Sequence, residues 1–115
     1  MSKRMDSDLL NDIQEAIRRI INYTAGMSYE TFLADIKTQD AVIRNLEIIG
    51  EATKNLSERL RLKNPLIPWK NMSSVRDRLI HHYFGVNLDI VWQIVTVDLP
   101  DVASELNKIS GVDLS

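Results

Sequence analysis

Apolar residues recur at helical spacing over most of the chain. Between about Ser7 and Ala25 the positions Leu9, Ile13, Ala16, Ile17, Ile20 and either Tyr23 or Thr24 fall on one face of a helix. Asp6, Ser7 and Asp8 supply start signals, and Gly26 can take the left-handed conformation that ends it. Ser28 then offers a cap for a short connecting helix bearing Tyr29, Phe32, Leu33 and Ile36. From about Thr38 to Leu62 the stripe Val42, Leu46, Ile49, Thr53, Leu56, Leu60 steps by threes and fours and predicts the longest helix. Ile43, Ile48 and Ala52 widen that stripe, as burial between several neighbours requires. Its polar stripe, Arg44, Glu47, Glu51, Lys54 or Asn55, and Glu58, reads either as a solvated face or as the lining of a groove or interface.

Residues 63–68 form the one clear loop, because Pro65 and Pro68 restrict the residues before them. Pro68 is placed to open a helix whose buried face is Trp69, Met72, Val75 and Leu79, and Gly85 is expected to end it. Asn87 caps the next helix, with Ile90, Val91, Ile94 and Val95 inward. Pro100 lacks a backbone donor and would clash with the carbonyl of Thr96, so a kink is expected there. Alternatively, Asp98 with Asp101 would cap a separate last helix carrying Val102, Leu106 and Ile109. No segment alternates with period two over a useful length. The expected fold is all-α: an up-and-down bundle of four main helices plus a short extra one, in a single domain over residues 1–115.

Composition narrows the function. With 44% hydrophobic and 26% charged residues the chain is an ordinary globular sequence. The lack of cysteine excludes disulfides, thiolate nucleophiles and cysteine zinc sites, and points to a reducing cytoplasm. No signal-like or membrane-length apolar run is present, so no membrane role is expected. A net charge of −2 argues against a generic nucleic-acid binder. Charge is uneven, however: from Lys54 to Arg78 seven basic residues stand against two acidic ones, and any anion site belongs there.

That region ends in VRDRLIHHYFGVN, residues 75–87, which contains both histidines of the chain. No phosphate loop, GxSxG elbow or HExxH pattern accompanies it. Adjacent His81 and His82 would point about 100° apart on a helix, so they are poor joint ligands and no metal site or cofactor is expected. Imidazole can move protons near neutral pH, and guanidinium holds a phosphate at any pH. Arg76, His81 and Tyr83 together therefore suit cleavage of RNA, whose 2′-hydroxyl is a built-in nucleophile. On a regular helix Arg76 and His81 would sit about 140° apart. Convergence then needs the arginine to reach round, the helix to loosen before Gly85, or a second copy in a two-fold dimer to complete the site. The competing reading makes this stretch packing and surface, with Arg76 and Arg78 paired to nearby acids and Trp69 and Trp92 in the core.

The stretches DIQEAIRRIINYTAGMSYETFLADIKTQDAVIRNLEIIGEA and IPWKNMSSVRDRLIHHYFGVNLDIVWQIV, followed by DLP, resemble the HepT family of HEPN-domain proteins along nearly the whole chain. The family's Arg-x4-His-x-Tyr motif falls on Arg76, His81 and Tyr83. The resemblance implies a dimerising HEPN bundle with both motifs in a shared cleft, acting as a metal-independent endoribonuclease toxin on an RNA such as tRNA or mRNA. It implies Arg76 and His81 as catalytic residues; Arg78 and Lys70 of the same basic stretch are candidates to support them. It also implies a partner, an MNT-type minimal nucleotidyltransferase antitoxin that transfers AMP onto Tyr83. Where the family pattern has Asn after the arginine this chain has Asp77, an acid expected to pair with Arg78 or Arg76 and lower the local positive potential. His82 takes the variable position. The alternative to an enzyme is a catalytically silent helical module that dimerises and binds the nucleotidyltransferase or a nucleotide.

Overall fold

The computed structural model of the protein describes residues 5–81 and 85–109, and at Ile80 and His81 the backbone alone. Two long antiparallel-type partners form its centre. Helix α1 (Asp6–Thr24) lays Leu9, Leu10, Ile13, Ala16, Ile17 and Ile20 against α3 (Ile36–Lys54), whose Val42, Leu46, Ile49, Ala52 and Thr53 are buried. Ile13, Ile20, Val42 and Leu46 are fully excluded from solvent, each burial contributing roughly 1.5–3 kcal/mol relative to exposure. The ambiguous last position of the α1 stripe belongs to Thr24, whose hydroxyl donates to the carbonyl of Ile20 at 2.9 Å, while Tyr23 is exposed. Gly26, at φ +76°, ends that helix as expected.

Between them lies α2 (Tyr29–Leu33), capped by Ser28, whose side chain accepts from Thr31 N–H. Phe32 is buried with its ring 5.0 Å from that of Trp92. Gln39 reaches back from α3 to donate to the carbonyls of Phe32 and Leu33, at 2.9 and 3.0 Å, satisfying the open end of α2. Asp35 caps α3, accepting from the N–H and the hydroxyl of Thr38.

The expected helix over 38–62 is in fact two. Helix α3 stops at Lys54 and α4 (Glu58–Lys63) begins afresh with Ser57 as its cap, accepting from Leu60 N–H at 3.2 Å. The break is fixed from a distance: Asp6 accepts from the Ser57 N–H at 2.9 Å and from its hydroxyl at 2.6 Å. Arg44, Glu51, Lys54 and Glu58 of the polar stripe are exposed, and Arg44, Glu47, Glu51 and Asn55 also line a shallow groove beside Leu9 and Asp12 of α1. After the proline loop, Trp69 is buried and its indole N–H donates to the carbonyls of Arg61 and Asn64.

The expected helix from Trp69 to Gly85 also fails as one unit. It breaks at Ser74 into α5 (Trp69–Ser73) and α6 (Val75–Leu79). Beyond Leu79 the backbone is extended, and β1 (Ile80–His81) pairs antiparallel with β2 (Gly85–Val86), Ile80 opposite Val86 and His81 opposite Gly85. Gly85 therefore starts a short strand at φ +81° instead of ending a helix. Asn87 closes the ladder by donating its N–H to Leu79 O at 2.8 Å, and its side chain caps α7 (Leu88–Gln93) by accepting from Asp89 and Ile90 N–H.

The expectation of a separate, Asp98-capped helix does not describe the last segment. Helical backbone runs on from α7 through a π turn (Ile94–Asp98) into α8 (Leu99–Leu106). The Leu99 N–H reaches back five residues to Ile94 O, and this wider turn accommodates a proline that a tight one would reject. Asp98 makes no side-chain capping bond, so no separate helix starts there. Leu99, Val102 and Leu106 close the core over α1. The all-α character stands, but the described residues form more and shorter helices than four plus one.

Candidate active site

Helix α6 carries the arginine of the motif. It is five residues long, too short to persist alone, and is held by its neighbours. Its Val75 and Leu79 are buried, and α3 approaches closely at Gly50, where an added Cβ would stand 3.2 Å from Val75 Cγ1 and 3.4 Å from Met72 O. Glycine at that position lets the α5–α6 pair lie directly on the central helix.

Arg76 projects from α6 into solvent, and among the described residues no hydrogen bond or ion pair engages its side chain. A guanidinium left open in this way can grip a phosphate by two parallel bonds. Asp77 is exposed and pairs with neither arginine, contrary to expectation. Arg78 instead turns to Asp98 on the π turn, Nη2 to Oδ2 3.5 Å, both side chains about two-fifths exposed. Lys70 is exposed on α5. Lys54, Arg59 and Lys63 are also exposed, so much of the local positive charge faces solvent.

The helix ends between Arg76 and His81, so the regular-helix separation does not apply to them: of the routes to convergence, the loosening before Gly85 is present. His81 sits on the paired strand and its side chain lies outside the described residues, as do His82 and Tyr83 altogether. Among the described residues no group of three or more His, Cys, Asp or Glu could hold a metal ion. No helix of the described residues is long and apolar enough to cross a membrane.

Beside α6 lies a groove of about 390 Å³ with an apolar floor that includes Leu46, Met72 and Val75. Arg78, Asp98 and Asp101 stand on its rim, whereas Arg76 is not part of its lining. Its carboxylates would repel a phosphodiester, so the groove and the open arginine are chemically different surfaces. Asp98 is the residue that sequence reasoning assigned wrongly, as a cap. Its neighbour Pro100 was the available signal, because proline inside a helical pattern demands a local change in hydrogen bonding.

A helical domain with an arginine unpartnered among the described residues just before a helix end, and a histidine just after it, suits a nuclease. Comparison with known proteins gives the same class: residues 13–109 match the family model described as ribonuclease HepT-like. A Methanocaldococcus jannaschii protein named "Putative RNase" is 49% identical over 109 residues, covering 95% of this chain and 90% of that protein. The "Probable ribonuclease HepT" of Thermococcus cleftensis is 47% identical over 107 residues, 93% of this chain and 97% of that one. No solved structure matches the chain. The chain belongs to the HepT-like ribonuclease family, and its activity is that of a ribonuclease acting on RNA.

Proposed function

We propose that the protein is the metal-independent endoribonuclease toxin of a type II HEPN/MNT toxin–antitoxin module. The observation that carries this reading is Arg76, solvent-facing and free of partners among the described residues, five positions before His81 in a chain of the HepT-like family. His81 draws the proton from the substrate 2′-hydroxyl. The 2′-oxygen then bonds to phosphorus while the bond from phosphorus to the 5′-oxygen breaks. The leaving oxygen takes up a proton, and a 2′,3′-cyclic phosphate remains. Arg76 holds the extra negative charge of the five-coordinate phosphorus, where a pre-positioned cation contributes most. Tyr83 assists binding, Lys70 supplies a further phosphate contact, and two protomers bring their motifs into one cleft.

Regulation follows from the same chemistry. A minimal nucleotidyltransferase partner moves AMP from ATP to the Tyr83 oxygen and releases pyrophosphate. The added group fills the cleft and sets negative charge where the RNA phosphate must lie. Two measurements test the reading. Purified protein in EDTA should cut total RNA or tRNA and leave 2′,3′-cyclic ends; fragments ending in a plain 3′-hydroxyl would refute the mechanism. Incubation with the nucleotidyltransferase and ATP should add one AMP mass to the Tyr83 peptide and abolish cutting, and an unmodified peptide would refute the regulation.

A further inference from the structure

Helix α6 has one well-anchored side, its end is tied by the Asn87 N–H at Leu79 O, and among the described residues the ion pair on its outer side is Arg78 with Asp98. Val75 and Leu79 fix it to the core, and the contact with Gly50 sets its distance from α3. With that end tied, a small rotation about the anchored line is the freedom that remains. Arg78 and Arg76 are two residues apart, so they point about 200° apart around the helix. Drawing Arg78 towards the π turn therefore turns Arg76 away from the acidic-rimmed groove and into solvent. The link that draws it is the pair with Asp98 at 3.5 Å.

Asp98 is available for this because of the π turn. An extra residue in the turn rotates its last positions by about 100° relative to a plain α-helix, and Pro100 is what makes a plain α-helix unfavourable here. Asp98 makes no capping bond, and it lines the groove together with Arg78. π turns are rare and recur at functional sites, which fits a turn that places one carboxylate.

We infer that Asp98 is a positioning residue for the ribonuclease reaction: from the π turn it holds Arg78, and through Arg78 it sets the orientation of α6 and of Arg76. The inference rests on the reading of Arg76 as the phosphate-holding side chain. Asp98 also occupies Arg78, the residue expected to support the site; released, it would add a phosphate contact to RNA without Arg76 being held in place. Loss of its charge therefore lowers turnover without weakening RNA binding, a split that a general structural defect does not produce.

The test is steady-state cleavage of one RNA by the full chain and its Asp98→Asn variant. An exposed pair of this kind is worth at most about 1 kcal/mol, so kcat should fall about three- to fivefold while KM stays level or drops. The difference should shrink as salt is raised, because both side chains are open to solvent. Asp98→Glu should keep most of the activity, and the exchanged pair Arg78→Asp with Asp98→Arg should recover it relative to either single change. Unchanged kcat in Asp98→Asn overturns the inference, as does a loss that follows melting temperature and is not recovered by the exchange. Arg76→Ala is measured alongside. If Arg76→Ala is inactive and Asp98→Asn is normal, only the positioning role falls; if Arg76→Ala cuts like wild type, both readings fall.

Discussion

The α1–α3 pair and the α5–α6 segment solve opposite problems. In α1 and α3, each 19 residues long, one broad and mainly apolar face is buried, with Gln39, Asn45 and Thr53 its polar members on α3. In α5 and α6, each five residues, two buried side chains apiece hold a backbone whose helix breaks at Ser74 and ends at Leu79. The first region provides stability and tolerates similar side chains. The second contributes little of its own but presents Arg76 and the start of the ladder at a defined place. Activity should therefore be separable from stability by region.

The widest separation is expected from Arg76→Ala. Cleavage should fall by about two orders of magnitude or more, the scale of losing one charge-stabilising contact in a transition state, while thermal melting stays close to wild type because Arg76 is exposed. A comparable drop in both would merge the two regions and break the comparison. Next comes Ile13→Ala, fully buried in α1, which should cost about 2–5 kcal/mol in denaturant unfolding. Under conditions where that variant is still folded, it should cut RNA at the wild-type rate.

Gly50→Val joins the two regions and should affect both. The added side chain meets Val75 and the Met72 carbonyl, so overpacking of about 1–3 kcal/mol is expected in unfolding, with a loss of cleavage larger than that of Ile13→Ala at equal folded fraction. The smallest effect is the pH response of the α3 start. Bonds donated by the Thr38 N–H and hydroxyl hold the Asp35 carboxyl below its ordinary pKa. Its contribution is thus complete above the ordinary carboxylate pKa and is lost as pH falls through the lowered one. Asp35→Asn keeps a capping oxygen but does not titrate there. Melting curves should show wild type losing more stability than Asp35→Asn on acidification; parallel curves would remove Asp35 from the account.

The same contrast explains what could be read from the chain. Periodicity identified the buried faces of α1 and α3, but of the residues read onto the short helix only Phe32 is buried, Leu33 being exposed and Ile36 opening α3; Ser28, Gly26 and Asn87 acted as local signals suggest. It could not see the stop at Lys54, because the apolar stripe continues in phase through Leu56 and Leu60 and the bond that fixes Ser57 comes from Asp6, 51 residues away. It could not see the end of α6, where Leu79 keeps the helical spacing but its carbonyl is taken by Asn87. Pro100 announced a disturbance without saying which kind. The candidate motif residues could be picked out by the resemblance of the sequence around them, type and spacing alone being a weak pattern, whereas the pairing of Arg78 with Asp98, 20 residues on, carried no sequence signal.

One measurement bears most directly on the claim that RNA is cut at the Arg76–His81 motif. Purified wild type and His81→Ala, both folded by circular dichroism and with Tyr83 unmodified by mass spectrometry, are incubated with the same RNA in EDTA. The account predicts cleavage to 2′,3′-cyclic ends by wild type and a loss of about 10²- to 10⁴-fold in the variant, the usual range for removing a general acid–base. Equal cleavage by the two proteins would contradict it.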